Sequence, residues 1–287
     1  RPDVIAIVGG GGKSSAAFRI ARDLAASGRR AVVTHTARIA AFQTDWSPAV
    51  IEIAPDAQRL PLAAIASSLT THGMCLLTGP PVGDRRAPLS PHLVDSLAQA
   101  APELGLHAIS IEADGSKMRP AKAPAAHEPV LPDAATLLAP MLGLDAVGAE
   151  ISERLFHRAE LVLALLQDSL EADSFIGERA DRPGQRPATG GQRLTPRAAA
   201  ALLTSPVGGA KAQPAAARLL PLLNKADEPL RQLYGRLAAA QLAAGGQAAL
   251  LTSVGSADAD PVRERWGQIA TVILAALARS PTPPMTA

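Results

Sequence analysis

The sequence predicts an α/β fold of three layers, with helices on both faces of a mostly parallel sheet. Two observations predict it. Short apolar, β-branched runs alternate with stretches of helical spacing along much of the chain, and the runs are apolar at consecutive positions, as in strands covered on both faces. The 287 residues are 47% hydrophobic, with Ala prominent, which is enough to bury a full core and favours helix between the strands.

Val4–Val8 is the first such run, and it enters four glycines abruptly. Ser14–Ala26 follows with Ala17, Ile20, Ala21 and Leu24 at helical spacing, and Gly28 stops it. Ala31–Thr34 is the second strand, completing a unit that winds right-handed into a parallel sheet. Strands at Val50–Ile53 and Met74–Thr78 bracket a helix near Leu60–Thr71. A helix over Pro91–Ala101 leads to the strand Ala108–Glu112. Proline-rich, less periodic chain runs from there to about residue 150, followed by a helix over Ser152–Gln167. Gly177–Arg193 holds six Gly or Pro and reads as a surface loop. Thr195 before Pro196 caps a helix to Leu203. Arg218–Leu223 resumes the strand pattern, Glu228–Ala244 is helical, and Ala248–Thr252 is a last strand. Asp260–Arg279 is a last helix, and 280–287 a flexible tail. The expected organisation is one domain over 1–279, its core in 1–118 and 216–279, interrupted by an irregular insertion at 119–215.

Composition narrows the function. A net charge of +2 argues against a nucleic-acid or membrane partner. Aromatic residues are 2% of the chain, so no stacking platform for bases is expected, and Trp46 and Trp266 read as packing residues. Cys75 is the lone cysteine, in an apolar run, which suits a reducing compartment. No apolar run approaches the roughly 18 residues of a membrane span. The chain starts at Arg1 rather than Met, and what is present begins almost directly with a strand, leaving no signal peptide to read; the expected location is cytoplasmic.

Rare residue types point to chemistry. Only five lysines occur among 28 cationic residues, and Asn224 is the sole asparagine. Lys13, Lys117, Lys122, Lys225 and Asn224 all fall in three short motifs, and an ammonium or an amide is not interchangeable with a guanidinium. The first motif is Gly9, Gly10, Gly11, Gly12, Lys13, Ser14, followed by Ser15. Glycines let backbone N–H groups turn inward around an anion, and the helix start adds its positive end. Lys13 is placed to reach phosphates and the Ser14 hydroxyl to ligate Mg²⁺. This short form resembles the phosphate loop of Mur ligases and folylpolyglutamate synthases, which predicts a P-loop NTPase-like fold. Thr36, after the second strand, is a further candidate metal ligand, with His35 beside it either catalytic or simply closing the strand.

The second motif ends the strand Ala108–Glu112. Glu112 and Asp114 arrive at the carboxyl edge, where open α/β sheets bind ligands, and either can complete a Mg²⁺ shell. Lys117, Lys122, His127 and Glu128 then fall among prolines that stiffen the segment and are expected to hold those side chains outward. The third motif, Asn224-Lys225-Ala226-Asp227, sits between a strand and a helix, where a carboxylate can accept the paired N–H groups of guanine. Asn224 can bond the base or tie its loop to the phosphate loop, and the Lys225 stem can lie along the ring. GTP is favoured over ATP on this ground, although the short loop is more usual with ATP.

The segment from Glu112 to Pro132 resembles the signature of the YqeC family, accessory proteins of selenium-dependent molybdenum hydroxylases. Gly9–Lys13, Thr34–Thr36, Gly143–Asp145, His157-Arg158 and Asn224–Asp227 are similar too, so that the resemblance runs over roughly residues 4–255. It implies a nucleotide-using, Mg²⁺-dependent accessory protein that assembles or inserts the molybdenum cofactor, with or without selenium. A molybdenum hydroxylase or cofactor-donor protein is the implied partner. It also implies that Lys117, Lys122, His127, Glu128, His157 and Arg158 contact the cofactor or its donor. Lys13, Glu112 and Asp114 are the expected catalytic residues of a nucleoside triphosphatase. The alternatives are an ATP-dependent Mur-like amide ligase and a non-hydrolysing, nucleotide-regulated chaperone or switch.

Overall fold

The computed structural model describes residues 1–178 and 191–254. The expected helix over 260–279, the tail at 280–287, Trp266 and most of the 177–193 loop lie outside them. Asp3–Gly9 forms β1 at the centre of the main sheet, whose other strands are β2 (Arg30–His35), β3 (Val50–Glu52), β4 (Met74–Thr78), β5 (Leu106–Glu112), β6 (Leu137–Gly143), β7 (Arg218–Leu219), β8 (Leu222–Asn224) and β9 (Leu250–Leu251). Their order is β9-β8-β6-β1-β5-β2-β4-β3, with β7 also on β6. Every pairing in this sheet is parallel.

The alternation of side chains along β1 builds the layers. Val4, Ala6 and Val8 meet Ile65 and Leu69 of α2 (Leu62–His72) and Leu93, Val94 and Leu97 of α3 (Pro91–Leu104). Ile5 and Ile7 face the other way, onto Ala17, Ile20, Ala21 and Leu24 of α1 (Lys13–Ala26). A third cluster joins α4 (Ala159–Glu178), α5 (Pro196–Thr204) and α6 (Pro229–Ala244) around Leu142, Phe156 and Leu223. Ser90 and Thr195 cap α3 and α5 through their side chains, each with proline in the first turn.

The structure departs from expectation chiefly in the middle of the chain. Leu137–Gly143 is a fully buried strand beside β1, not irregular chain. Pro140 disguises it, since a proline argues against a central strand. Its place has a physical reason. β6 bonds β7 at 137–138 and β8 at 141–143, leaving a break in that ladder opposite 220–221, where the partner also carries a proline. The run Arg218–Leu223 is split into two strands by the same break. Residues 152–158 are not helical as expected, because Phe156–His157 pairs in parallel with Ala121–Lys122, and α4 starts only after Arg158, whose φ is 63°. A second small sheet, Ile39–Ala40 with Arg85–Arg86 and Pro81–Val82, joins a 3₁₀ turn over Ala41–Trp46 beside β2.

The chain leaves β1 toward β2 on one side and leaves β6 toward β8 on the other. The glycine loop after β1 therefore sits at a switch point of the sheet, where a crevice opens above the strand ends. It is tightly seated there. Gly9 has φ 92°, and a Cβ on it would lie 2.3 Å from the Met141 carbonyl oxygen. Gly28, with φ 78°, has nothing within 4 Å of the same position. Gly28→Ala should cost only the backbone strain of about 1–2 kcal/mol, and Gly9→Ala distinctly more. Urea unfolding of the two variants checks the difference.

Candidate functional site in the cleft above the glycine loop

The loop's own amides divide into two sets. Gly9 N–H donates to both Asp114 carboxylate oxygens at 3.1 and 2.9 Å, Gly10 N–H to the Met141 carbonyl at 2.9 Å, and Gly11 N–H to the Arg119 carbonyl at 3.1 Å. These three fasten the loop. The amides of Gly12, Lys13, Ser14 and Ser15 have no partner among the described residues, as the first turn of a helix leaves them. They open into a cleft of about 330 Å³ with Lys13, Ser14, Glu112, Ser116, Lys117 and Lys225 on its walls. Free amides at a helix start, beside an ammonium, suit an anion.

Lys13 is 3% exposed. Its ammonium donates to the Gly9 carbonyl at 2.8 Å and lies 3.3 Å from Asp114 and 3.7 Å from Glu112. The Ser14 hydroxyl donates to Glu112 Oε2. Burial pushes the Glu112 carboxyl up from its ordinary range, while Lys13 and Ser14 work against the shift. The pair puts two hard oxygen donors together at the loop. Asp114 is turned away from the cleft, into the protein, where Lys122 Nζ lies 3.1 Å from it.

From Lys122 a charge network continues inward. Its ammonium donates to Glu128 at 2.7 Å and to the Gly115 carbonyl at 2.8 Å, and Arg158 donates to Glu128 at 2.7 Å. The expectation that the prolines hold Lys122 and Glu128 outward is thus corrected: Lys122 is 4% exposed, because two carboxylates and a carbonyl solvate its charge. His157 sits opposite Lys122 in register and is buried. Its imidazole is lowered to about 4 by burial, then by Arg158, Lys122 and Lys117. Of the six residues assigned to cofactor contact, Lys117 alone lines the cleft; His127 is exposed elsewhere on the loop.

Other expected ligands are committed inside the protein. Thr36 donates its hydroxyl to the Val130 carbonyl at 2.6 Å, which removes it as a metal ligand in this arrangement. His35 is 1% exposed, with Nδ1 at 2.6 Å from the Ala37 carbonyl and Nε2 at 2.8 Å from the Thr78 hydroxyl. Only an N–H can face that carbonyl, so Nε2 accepts from Thr78. Burial lowers the ring to about 4, and it closes the strand as a neutral group. Burial likewise pushes the Cys75 thiol up to about 12.

Asn224 is fully buried, and it makes the loop tie rather than a free base contact. Its amide donates to the Gly11 carbonyl at 2.7 Å, and its oxygen accepts from Val254 N–H at 2.7 Å and Thr252 Oγ1 at 2.9 Å. Lys225 lines the cleft and pairs with Asp145 at 2.6 Å. Asp227 is exposed and paired with Arg231 at 3.2 Å. Sequence reasoning missed Arg38, Phe42, Gln43 and Arg85, which with Trp46, packed on Phe18 as expected, form another wall of the cleft. No motif marks them, and the expectation that no aromatic platform exists rested on bulk composition rather than on where the few rings gather.

Two outcomes follow for the network. Burial alone would raise the Glu128 carboxyl, but Lys122, the Ala125 amide and Arg158 bring it down to about 2. Its contribution to stability is complete above its ordinary 4.5 and is lost as pH falls through about 2. Glu128→Gln should therefore lower stability at pH 7 and flatten its fall across that acid window, read by urea unfolding at each pH. Lys122→Met should cost about 3–5 kcal/mol by stranding two carboxylates, measured the same way.

A family model described as YqeC protein matches residues 5–160. "Uncharacterized protein YqeC" of Escherichia coli (strain K12) is 35% identical over 158 residues, covering 55% of this chain and 58% of the relative. The chain thus aligns with less than two thirds of that protein's length. No solved structure matches. The matched residues include the glycine loop, Glu112, Asp114 and the Lys122–Glu128–Arg158 network, whereas Asn224–Asp227 lies beyond them. On the breadth of that match the chain belongs to the YqeC family.

Proposed function

We propose that the cleft binds a nucleoside triphosphate with Mg²⁺, and that its use drives an accessory step in maturing molybdenum hydroxylases. The first part rests on one observation: Lys13, the free amides of Gly12–Ser15 and the Ser14–Glu112 pair converge on a single cleft. The second part rests on the family resemblance of the 112–132 segment.

The donor set fits a magnesium ion that arrives with its nucleotide. Among the described residues no group of three or more His, Cys, Asp or Glu could hold a metal by itself. Ser14 and Glu112 would hold Mg²⁺, with phosphate and water oxygens supplying its other ligands. When bound, the ion would neutralise charge on the phosphates. The protein's own residues do the rest. The first-turn amides and Lys13 orient the phosphates, and Lys13 must exchange its bond to Gly9 for one to phosphate. Asp114 holds the loop through Gly9 N–H and acts as a positioning residue. Asn224 fixes the Gly11 carbonyl, which leaves Asp227 as the motif residue able to read a guanine edge once it leaves Arg231.

Among the described residues no helix is long and apolar enough to cross a membrane. A cytoplasmic site of action, with a molybdenum hydroxylase or cofactor-donor protein as partner, completes the proposal.

Calorimetry tests it. Lys13→Ala should weaken Mg²⁺·nucleotide binding about 10- to 100-fold by removing a charge-assisted contact, and release of phosphate should fall with it. Undiminished binding and turnover in this variant would sink the nucleotide reading. In GTP–ATP competition, wild type should prefer GTP and Asp227→Asn should lose that preference; an indifferent Asp227 would remove its base-reading role.

A further inference from the structure

We infer that the wall formed by Arg38, Phe42, Gln43, Trp46 and Arg85 is a second small-molecule subsite, for a planar aromatic or heteroaromatic ligand carrying a phosphate or carboxylate. The inference rests on the nucleotide reading only for what occupies the glycine loop next to it.

Aromatic residues are scarce here, with four Phe, two Trp and one Tyr in the chain. Two of the Phe and one Trp nevertheless meet at this wall. Phe18, buried on α1, packs edge-to-face on Trp46 at 5.5 Å, and Trp46 packs edge-to-face on Phe42 at 5.8 Å. Arg22 fixes the turn by donating to the Trp46 carbonyl at 2.7 Å. The row runs from the core outward and ends on Phe42, which is 54% exposed at the cleft. A large ring held from behind and bare in front is a surface for stacking. The core needs the first ring of that row; it does not need the last.

Charge supplies the second half. Arg38 is exposed and has no partner among the described residues, and Lys117 across the cleft has none either. Arg85 reaches only Asp84 at 3.9 Å, a carboxylate that is 92% exposed. Its neighbour Arg86 shows the contrast, bound to Glu52 at 2.7 Å. Glu112 is the one acid on the cleft lining, and Ser14 and Lys13 already engage it. Arg38 and Lys117 thus face the cleft with no acidic partner among the described residues, and Arg85, beside the exposed ring with Arg38, has only a long, solvent-exposed one. Gln43 uses its side-chain oxygen on Ala40 N–H at 2.9 Å, which leaves its amide group to donate.

Topology separates this wall from the far end of the cleft. Lys225 follows β8 and the wall follows β2, on opposite sides of β1 and its loop. A nucleotide whose base lies toward Lys225 and whose phosphates lie on the loop leaves the β2 side for another molecule. Lys117 and Met118 form a lip of the cleft with φ of 50° and 61°, and Met118 is 86% exposed. Two successive non-glycine residues in that region are strained, which is characteristic of residues placed for a ligand.

The test is calorimetric titration of the full chain with 1-naphthyl phosphate, with and without a Mg²⁺-bound non-hydrolysable nucleotide. Inorganic phosphate and 1-naphthol serve as the two halves of the probe. Naphthyl phosphate should bind more tightly than either half and should still bind with nucleotide present. Phe42→Ala and the double variant Arg38→Gln, Arg85→Gln should each weaken it about tenfold. Phe42→Leu, which keeps the apolar bulk, should weaken it less than Phe42→Ala. Circular dichroism checks that these surface variants fold, and their nucleotide affinity should stay within about twofold of wild type. The inference is overturned if naphthyl phosphate binds no better than its halves, or if the variants leave it unchanged. It is also overturned if nucleotide displaces the probe and Phe42→Ala weakens nucleotide instead, since the wall would then hold the base. Probe binding that responds to the variants in a chain that binds no nucleotide would sustain the subsite and reject the nucleotide reading.

Discussion

The Asp114 carboxylate is the interaction on which the site depends. It accepts the Gly9 amide through both oxygens and sits between the ammonium groups of Lys13 and Lys122. At 2% exposure this arrangement is tolerable only as a set. A lone buried carboxylate or ammonium would carry a desolvation penalty of several kcal/mol. Together they neutralise one another and pin the loop, so that its remaining amides point outward. The cleft is thus electropositive because the buried acid is consumed behind it, and the chemistry in front inherits its geometry from the ion pairs at the back.

All five lysines can be read in that light. Lys13 and Lys122 share Asp114, Lys225 holds Asp145, and Lys211 reaches the carbonyls of Ala125 and Ala126. Lys117 alone stands free among the described residues, on the lip of the cleft. A compact ammonium with three donors in rotatable positions can satisfy several carboxylates and carbonyls in a tight space, where a planar guanidinium would need a flat, two-pronged partner. Arginine takes over where room allows, as Arg158 does on the outer side of Glu128.

Much of this was legible in the sequence, and the gaps have physical causes. β1, α1 and β5 announced themselves, since continuous apolar runs and helical spacing are local signals. The glycine loop with Lys13 and Ser14 was equally plain, and Glu112 was placed beside them correctly. The direction of the Lys122 side chain was not, because proline stiffness says nothing about which face of a segment meets a carboxylate. β6 was hidden by Pro140, which is accommodated by a ladder break contributed from residues about 80 positions later. The aromatic wall escaped notice because it is assembled from a helix, a 3₁₀ turn and a hairpin that share no spacing. Asn224 stood out by rarity, yet its two possible uses could be separated only by seeing Gly11 beside it.

That last contact also bears on how the chain acquires its site. Gly11 and Asn224 lie 213 residues apart, and the asparagine further collects Thr252 and Val254. On a ribosome the glycine loop emerges well before its clasp, which follows 213 residues later. Contacts of such long separation form late, after the loop-closure entropy between them has been overcome. The nascent chain can thus assemble β1, β5 and β6 and still present an unclasped loop. The cleft above the loop therefore reaches its final shape only when the far end of the sheet docks, and the loop remains without its clasp until then.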